Sequence, residues 1–301
     1  MMEPLNTPIF VRAYMEPKDW EPKAFQVAGY EADLTSDWSL TFDTETTTDP
    51  AQSLRVGFAQ IHKAGELVSE LVFFDENLSD ADISVILDYA DTKNLQAITI
   101  EAFRKKFIEI GYRMNGAVIG FNLPFDISRI ALSHGAAKGT MQGGFSFRLS
   151  PWKSEPRVRV KHLSAVAALI DFAKPFKQLR GKGSRNRDVD VPHNSGCFID
   201  VKTIAAALLS KRFKLETLAV FLGATPKEQT EAHGGPITFQ YLDYARGDVQ
   251  TTWECYQKLA DIYRGFGLST PLRRILSEAS IGKALLREMN IRPLLVGGGH
   301  V

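Results

Sequence analysis

At 301 residues, 44% hydrophobic and 24% charged, the chain has room for one large or two modest domains and the composition of an ordinary globular protein. Its net charge of +1 hides an asymmetry: residues 138–195 hold twelve Lys or Arg against four acids, while the rest of the chain holds 24 against 31. Two cysteines exclude a disulfide framework and a zinc-ligand set, and no apolar run approaches the ~20 residues needed to cross a bilayer.

Residues 1–35 read as an N-terminal arm. Glu3, Pro4 and Pro8 stand where a secretory signal would carry basic and then apolar residues, so a reducing, cytoplasmic setting away from membranes is expected. Alternation predicts a strand over 38–42 that ends at Asp43, then strands over 54–61 and 67–74 joined by a hairpin turn at 63–66, together a three-stranded meander. A helix over 80–89 puts Ile83, Ile86 and Leu87 on one face. Thr99 suits the N-cap of a helix running to residue 114, with Phe103, Phe107 and Ile110 at helical spacing, and Asn115-Gly116 stops it. Residues 117–121 form a short buried strand. Asn122 ends it, and Pro124 suits the first turn of a helix through residue 133. Strands follow over 143–152, 157–163 and 166–172, then a loop by composition over 177–187. Helices close the chain at 201–209, 215–222, 239–263 and 272–289. There are no internal repeats.

Five side chains carry the chemistry. Asp43 and Glu45 lie two apart on a strand and point to one face, where two carboxylates can share a metal. Asp126, in Asn122-Leu123-Pro124-Phe125-Asp126, follows an apolar strand, where open α/β sheets place their sites. Taken alone, it equally fits a surface acid in a first helical turn, Asn122 a turn residue and Phe125 the core. Tyr244 and Asp248 lie four apart and share a helical face, as an exposed tyrosine with an i+4 acid also would. Asp243 and Arg246 fall on other faces and read as solvated charges. Acids so far apart in sequence act together only if folding assembles them. Assembled, they call for hard divalent cations such as Mg²⁺ or Mn²⁺.

In this order, strand Asp-x-Glu, Asn-x-x-Phe-Asp after a buried strand and Tyr-x-x-x-Asp on a late helix resemble the 3′→5′ exonuclease superfamily named for its Asp-Glu-Asp-Asp acids, in its tyrosine branch. The chain looks most like the proofreading exonuclease domain of family B DNA polymerases of mobile elements, over residues 36–265. The histidine branch places His five residues before the last Asp, where this chain has Asp243. The resemblance implies an α/β fold of the ribonuclease H-like kind, a mixed central sheet with helices on both faces, here with a basic hairpin and loop inserted at 138–195. It implies that Asp43, Glu45 and Asp248 hold one divalent cation, that Asp43 and Asp126 position a second, and that Tyr244 orients the attacking water. The implied substrate is a single-stranded end, DNA favoured over RNA, released as nucleoside 5′-monophosphates.

Other features bear on partners. Phe145, Phe147, Arg148, Trp152, Lys153, Arg157, Arg159 and Lys161 suit a hairpin that tracks a nucleic-acid strand, or a solvated hairpin with at least half its aromatics in the core. Lys177, Arg180, Lys182, Arg185 and Arg187 form an acid-free basic loop that suits a polyanion, and Asn122 and Phe125 are further candidates for contact with a bound strand. Asp200 reads as a helix cap or structural acid rather than a fifth ligand. Cys197 and Cys255 read as inert thiols, and the histidines show no metal spacing. Residues 266–301 form a C-terminal helix and tail, whose Leu276, Ile281, Leu285 and Leu286 are expected to close the domain. Docking of that face on a polymerase or other replication protein is the alternative. No acid pair suited to DNA synthesis follows Asp248, so a free-standing nuclease or the front part of a larger protein is expected. The rival is a catalytically weak nucleic-acid-binding or polymerase-associated accessory module, against which the presence of all five side chains weighs.

Overall fold

The run that begins to alternate at Trp38 carries on through both acids, making β1 (Trp38–Thr46) an interior strand of a six-stranded sheet. The computed structural model describes residues 36–173, 196–225 and 235–289. The arm, the basic loop with Lys177, Arg180, Lys182, Arg185 and Arg187, and the tail beyond Met289 lie outside the described residues. The strand order is β10-β5-β1-β2-β3-β4, with β2 Leu54–Lys63, β3 Glu66–Phe74, β4 Gln96–Thr99, β5 Ala117–Gly120 and β10 Cys197–Asp200. β1 is antiparallel to β2, and β2 to β3, as the meander requires. β5 and β10 run parallel to β1, and β4 parallel to β3, so the sheet is mixed. At the 63–66 turn Ala64 and Gly65 both take positive φ, 50° and 85°, the two-residue hairpin geometry whose twist matches the flanking strands.

β1 does not end at Asp43. β2 goes on pairing it, with Asp43 opposite Phe58 and Glu45 opposite Val56. β4 and β10, four residues each, were not expected; such runs are too short for alternation to register, and each is held by a parallel neighbour.

Alternation divides the sheet into two apolar faces. Leu40, Phe42, Ala59, Ile61, Leu71 and Phe73 pack under α2 (Ile100–Ile108) through Phe103 and Phe107. Val56, Phe58, Val72 and Phe74 pack against α1 (Asp80–Lys93) and α6 (Phe239–Arg264) through Ile86, Tyr89, Tyr241 and Tyr244. Helices therefore cover both faces. Phe73 stacks on Phe103 with ring centres 3.8 Å apart, directly over Gly57, where a Cβ would lie 2.2 Å from the Phe73 ring and 2.7 Å from the Asp43 carbonyl. Thr99 caps α2 as expected, accepting from the Ala102 amide at 3.3 Å. The helix then widens into a π-helical turn (Glu109–Arg113) instead of continuing as α to residue 114.

α3 (Leu123–Arg129) is shorter than expected, because the chain leaves it to build a second, antiparallel sheet. That sheet comprises β6 (Ser133–Ala136), β7 (Phe145–Arg148), β8 (Val158–His162) and β9 (Ala168–Phe172). Its Phe147, Val158, Val160 and Ala168 join the α2-side core. α4 (Val201–Leu209) and α5 (Leu215–Leu222) keep their expected bounds and, with α6, cover Ile119 and Ile199. The expected helix over 272–289 divides into a 3-10 turn (Leu272–Arg274) and α7 (Glu278–Glu288). Ile281 and Ala284 close on Ala207 and Tyr263, whereas Leu285 and Leu286 stay 45% and 46% exposed, so only part of that apolar face closes the domain. Among the described residues no helix is long and apolar enough to cross a membrane.

Candidate functional site

β1, β5 and β10 run parallel, and their C-terminal ends meet at one edge of the sheet, the end at which α/β sheets place their sites. Pairing of β1 with β5 stops at Thr41 opposite Ile119. Asp43, Thr44 and Glu45 therefore extend beyond it, paired with β2 on one side and flanked by α3 rather than a strand on the other. Asp43 and Glu45 point to the α6 side. Asp248 of α6 meets them there, and one carboxylate oxygen from each of the three lies within 4.8 Å of the others. Two oxygens on one Mg²⁺ at about 2.1 Å are at most about 4.2 Å apart. Octahedral neighbours on such an ion lie about 3.0 Å apart, so the trio would close by up to about 2 Å to share one, and an all-oxygen, all-carboxylate set is what a hard divalent cation takes.

Tyr244, one turn before Asp248, is buried and lines the same pocket. Its neighbour Tyr241 was missed in the sequence: its hydroxyl donates to Glu45 Oε2 at 3.2 Å. Burial, then the charge of Glu45, pushes that phenol above its ordinary range. The signal was present, since Tyr241, Tyr244 and Asp248 fall three and four apart on one helical face.

Asp126 is not the surface acid that a first-turn position allows. It is 2% exposed, and the Thr44 hydroxyl, on the opposite side of β1 from Asp43, donates to its Oδ1 at 2.6 Å. Burial pushes its carboxyl up to about 8; the Thr44 hydroxyl opposes this, and the charges of Asp200 and Glu45 add to it. Asp126 stands outside the 4.8 Å trio but lines the same pocket, of about 310 Å³, with Asn122, Phe125, Lys202 and Lys214. Phe125 is half-buried rather than core. The Arg129 guanidinium lies over its ring at 4.6 Å and is itself held by the Ala51 and Gln52 carbonyls at 3.1 and 3.0 Å.

Asp200 caps α4, as the sequence suggests, accepting from the Thr203 amide at 3.2 Å and from its hydroxyl. Its other oxygen accepts from the Asn122 and Leu123 amides at 2.7 and 3.1 Å, so one buried carboxylate joins the N-termini of α3 and α4. Burial raises its pKa. Asn122 sits in the left-handed region at φ 85°, and its side-chain oxygen accepts from Lys202 Nζ at 3.5 Å. Lys202 and Lys214 were also missed. Lys202 lies in the first turn of α4, where the helix dipole disfavours a cation, and that is the signal it leaves in sequence.

Two charged groups read as solvated are paired. Asp243 accepts from Tyr89 at 2.8 Å and from Lys93 at 2.9 Å, and Arg246 Nε donates to Glu70 at 3.0 Å. In the second sheet Arg157 bonds Ser146 and Arg159 pairs with Asp171, so neither is a free phosphate contact. Of the three aromatics in the basic stretch 145–161 only Phe147 is in the core, fewer than the half expected; Phe145 and Trp152 are 51% and 69% exposed. Cys197 and Cys255 are buried, and burial pushes the Cys255 thiol up to about 12. A cavity of about 880 Å³ opens at the opposite end of the strands, beside Trp38, Ala117 and Cys197, away from the acids. No protein-family model matches the chain, and no curated protein matches it either.

Proposed function

We propose that the protein is a divalent-metal-dependent 3′→5′ exonuclease acting on single-stranded ends, DNA in preference to RNA. The observation that carries this is the convergence of Asp43, Glu45 and Asp248 within 4.8 Å, with Tyr244 and Asp126 lining the same pocket. The strand order, with β1 between an antiparallel β2 and parallel β5 and β10, supports a ribonuclease H-like fold, and with it the resemblance to the tyrosine branch of the Asp-Glu-Asp-Asp nucleases. Asp43, Glu45 and Asp248 would hold one Mg²⁺ or Mn²⁺, and Asp43 with Asp126 a second. Bound there, the ions supply water activation and stabilisation of charge on the leaving 3′ oxygen.

The chain's own groups do the rest. A phenol with pKa near ~10 is a poor base at neutral pH, so Tyr244 orients the attacking water by a hydrogen bond. Tyr241 fixes the Glu45 carboxylate. Lys202 and Lys214 bring positive charge to a pocket otherwise rich in acids, where an incoming phosphodiester must sit. Asn122 and Phe125 line the wall that the terminal nucleotide meets.

Incubation with 5′-labelled and 3′-labelled DNA and RNA oligomers, with Mg²⁺, Mn²⁺ or EDTA, tests the assignment. The expected result is a ladder of shortening 5′-labelled strands, release of labelled mononucleotide from the 3′ label, and silence in EDTA or with Asp43→Ala. Intact oligomers under both metals, or full turnover by Asp43→Ala, overturn it.

A further inference from the structure

A second groove, of about 450 Å³, runs on from the acid pocket and shares Asn122 and Phe125 with it. Its floor is the core-facing side of the second sheet where that side extends past the core. Phe145 and Phe147 lie two apart on β7 and point the same way. Phe147 is covered, whereas Phe145 is 51% exposed beside it, ring centres 6.1 Å apart and planes 26° from parallel. His134 is paired across from Phe147 and Val160 across from Phe145, with His162 two residues beyond Val160, so all share this face. The described lining holds aromatic, apolar and imidazole groups with the Asn122 amide and the Ser128 hydroxyl, and no Lys, Arg, Asp or Glu. Such a surface has no counter-charge for a phosphate but suits the flat, weakly polar face of a base. Arg129 holds the Phe125 wall in place, so the shared end of the groove is preorganised.

We infer that this groove receives an unpaired nucleobase upstream of the 3′ terminus, stacked on Phe145, and that the second sheet thereby selects single-stranded ends. The inference rests on the nuclease reading of the adjoining pocket. Its occupant is a base rather than a protein segment because the groove is continuous with the pocket that would hold the terminal phosphodiester.

The test compares wild type, Phe145→Ala and Phe145→Trp on two probes: a ten-residue oligothymidylate, bound in EDTA and cleaved in Mn²⁺, and thymidine 5′-p-nitrophenyl phosphate, which has no upstream base. Phe145→Ala is expected to weaken oligomer binding by about fivefold to a hundredfold, the roughly 1–3 kcal/mol that base–aromatic stacking contributes. Phe145→Trp restores binding, and hydrolysis of the small ester is unchanged in all three. An oligomer made abasic at one upstream position should bind wild type more weakly, and Phe145→Ala should no longer tell it from the intact strand. Unchanged oligomer binding by Phe145→Ala, in a protein whose wild type cleaves both probes, overturns the groove assignment and leaves the nuclease reading standing. Equal loss on both probes also overturns it. A wild type that neither binds nor cleaves removes both.

Discussion

Replacing Asp126 by asparagine should alter how stability depends on pH in the metal-free protein. The carboxyl is 2% exposed and its pKa is pushed up to about 8, against an ordinary 3.8. Below about pH 4 it is neutral in both folded and unfolded chains. Between there and about pH 8 the unfolded chain releases the proton while the folded chain keeps it, so stability falls as pH rises. At about 1.36 kcal/mol per unit, the loss between pH 4 and pH 7 is about 4 kcal/mol from this group alone. Asparagine keeps the Thr44 hydrogen bond, since its side-chain oxygen still accepts, but has no proton to hold. Urea unfolding in EDTA at pH 4.5, 6, 7 and 8 measures it. The gap between variant and wild type should widen in the variant's favour by several kcal/mol across that range. Saturating Mn²⁺ should lift wild type more at pH 8 than at pH 5, because a cation competes with the proton. Parallel stability profiles for the two proteins would refute the buried, protonated Asp126 and the competition built on it.

Tyr244→Phe removes the hydroxyl proposed to orient the water and keeps the ring, so kcat on an oligonucleotide should drop about tenfold to a hundredfold in a protein that still folds. A kcat within twofold of wild type removes the orienting role. Asp200→Ala leaves the buried amides of Asn122, Leu123 and Thr203 without their acceptor. Loss of the cap and of these bonds should lower stability by about 3–5 kcal/mol in urea unfolding and weaken Mn²⁺ affinity with it, since α3 carries Asp126. A change below about 1 kcal/mol would show that the carboxylate does not tie the two helices together.

What could be read from the sequence is what depends on near neighbours. Asp43 and Glu45 share a face because strands alternate, and Tyr244 and Asp248 because helices repeat every 3.6 residues; no other part of the chain is needed for either statement. The hairpin at Ala64-Gly65, the Thr99 cap and the bounds of α4 and α5 were legible for the same reason. β4, β6 and β10 were not, since four residues leave no period to detect and their pairing partners lie elsewhere in the chain. Phe145 and Phe147 look alike in sequence. Which of them is covered depends on how far the core reaches along β7.

The candidate site divides the same way. That Asp126 is buried follows from Thr44, 82 residues earlier, and from the closure of α3 over the end of β1. Only the Thr203 half of Asp200's role is local; its other half reaches back 78 residues to Asn122. That reach accounts for a backbone oddity. A non-glycine residue at φ 85° is strained, and Asn122 holds this conformation where its amide meets a buried carboxylate. The turn it makes brings α3 into the gap left where β1 outruns β5, which is where Asp126 meets Thr44. The sheet is held by apolar side chains that tolerate many sequences, whereas the pocket is held by a few polar contacts between distant segments. Substitutions at Asp200, Thr44 or Tyr241 should therefore damage metal binding at doses of destabilisation that leave the six-stranded sheet intact.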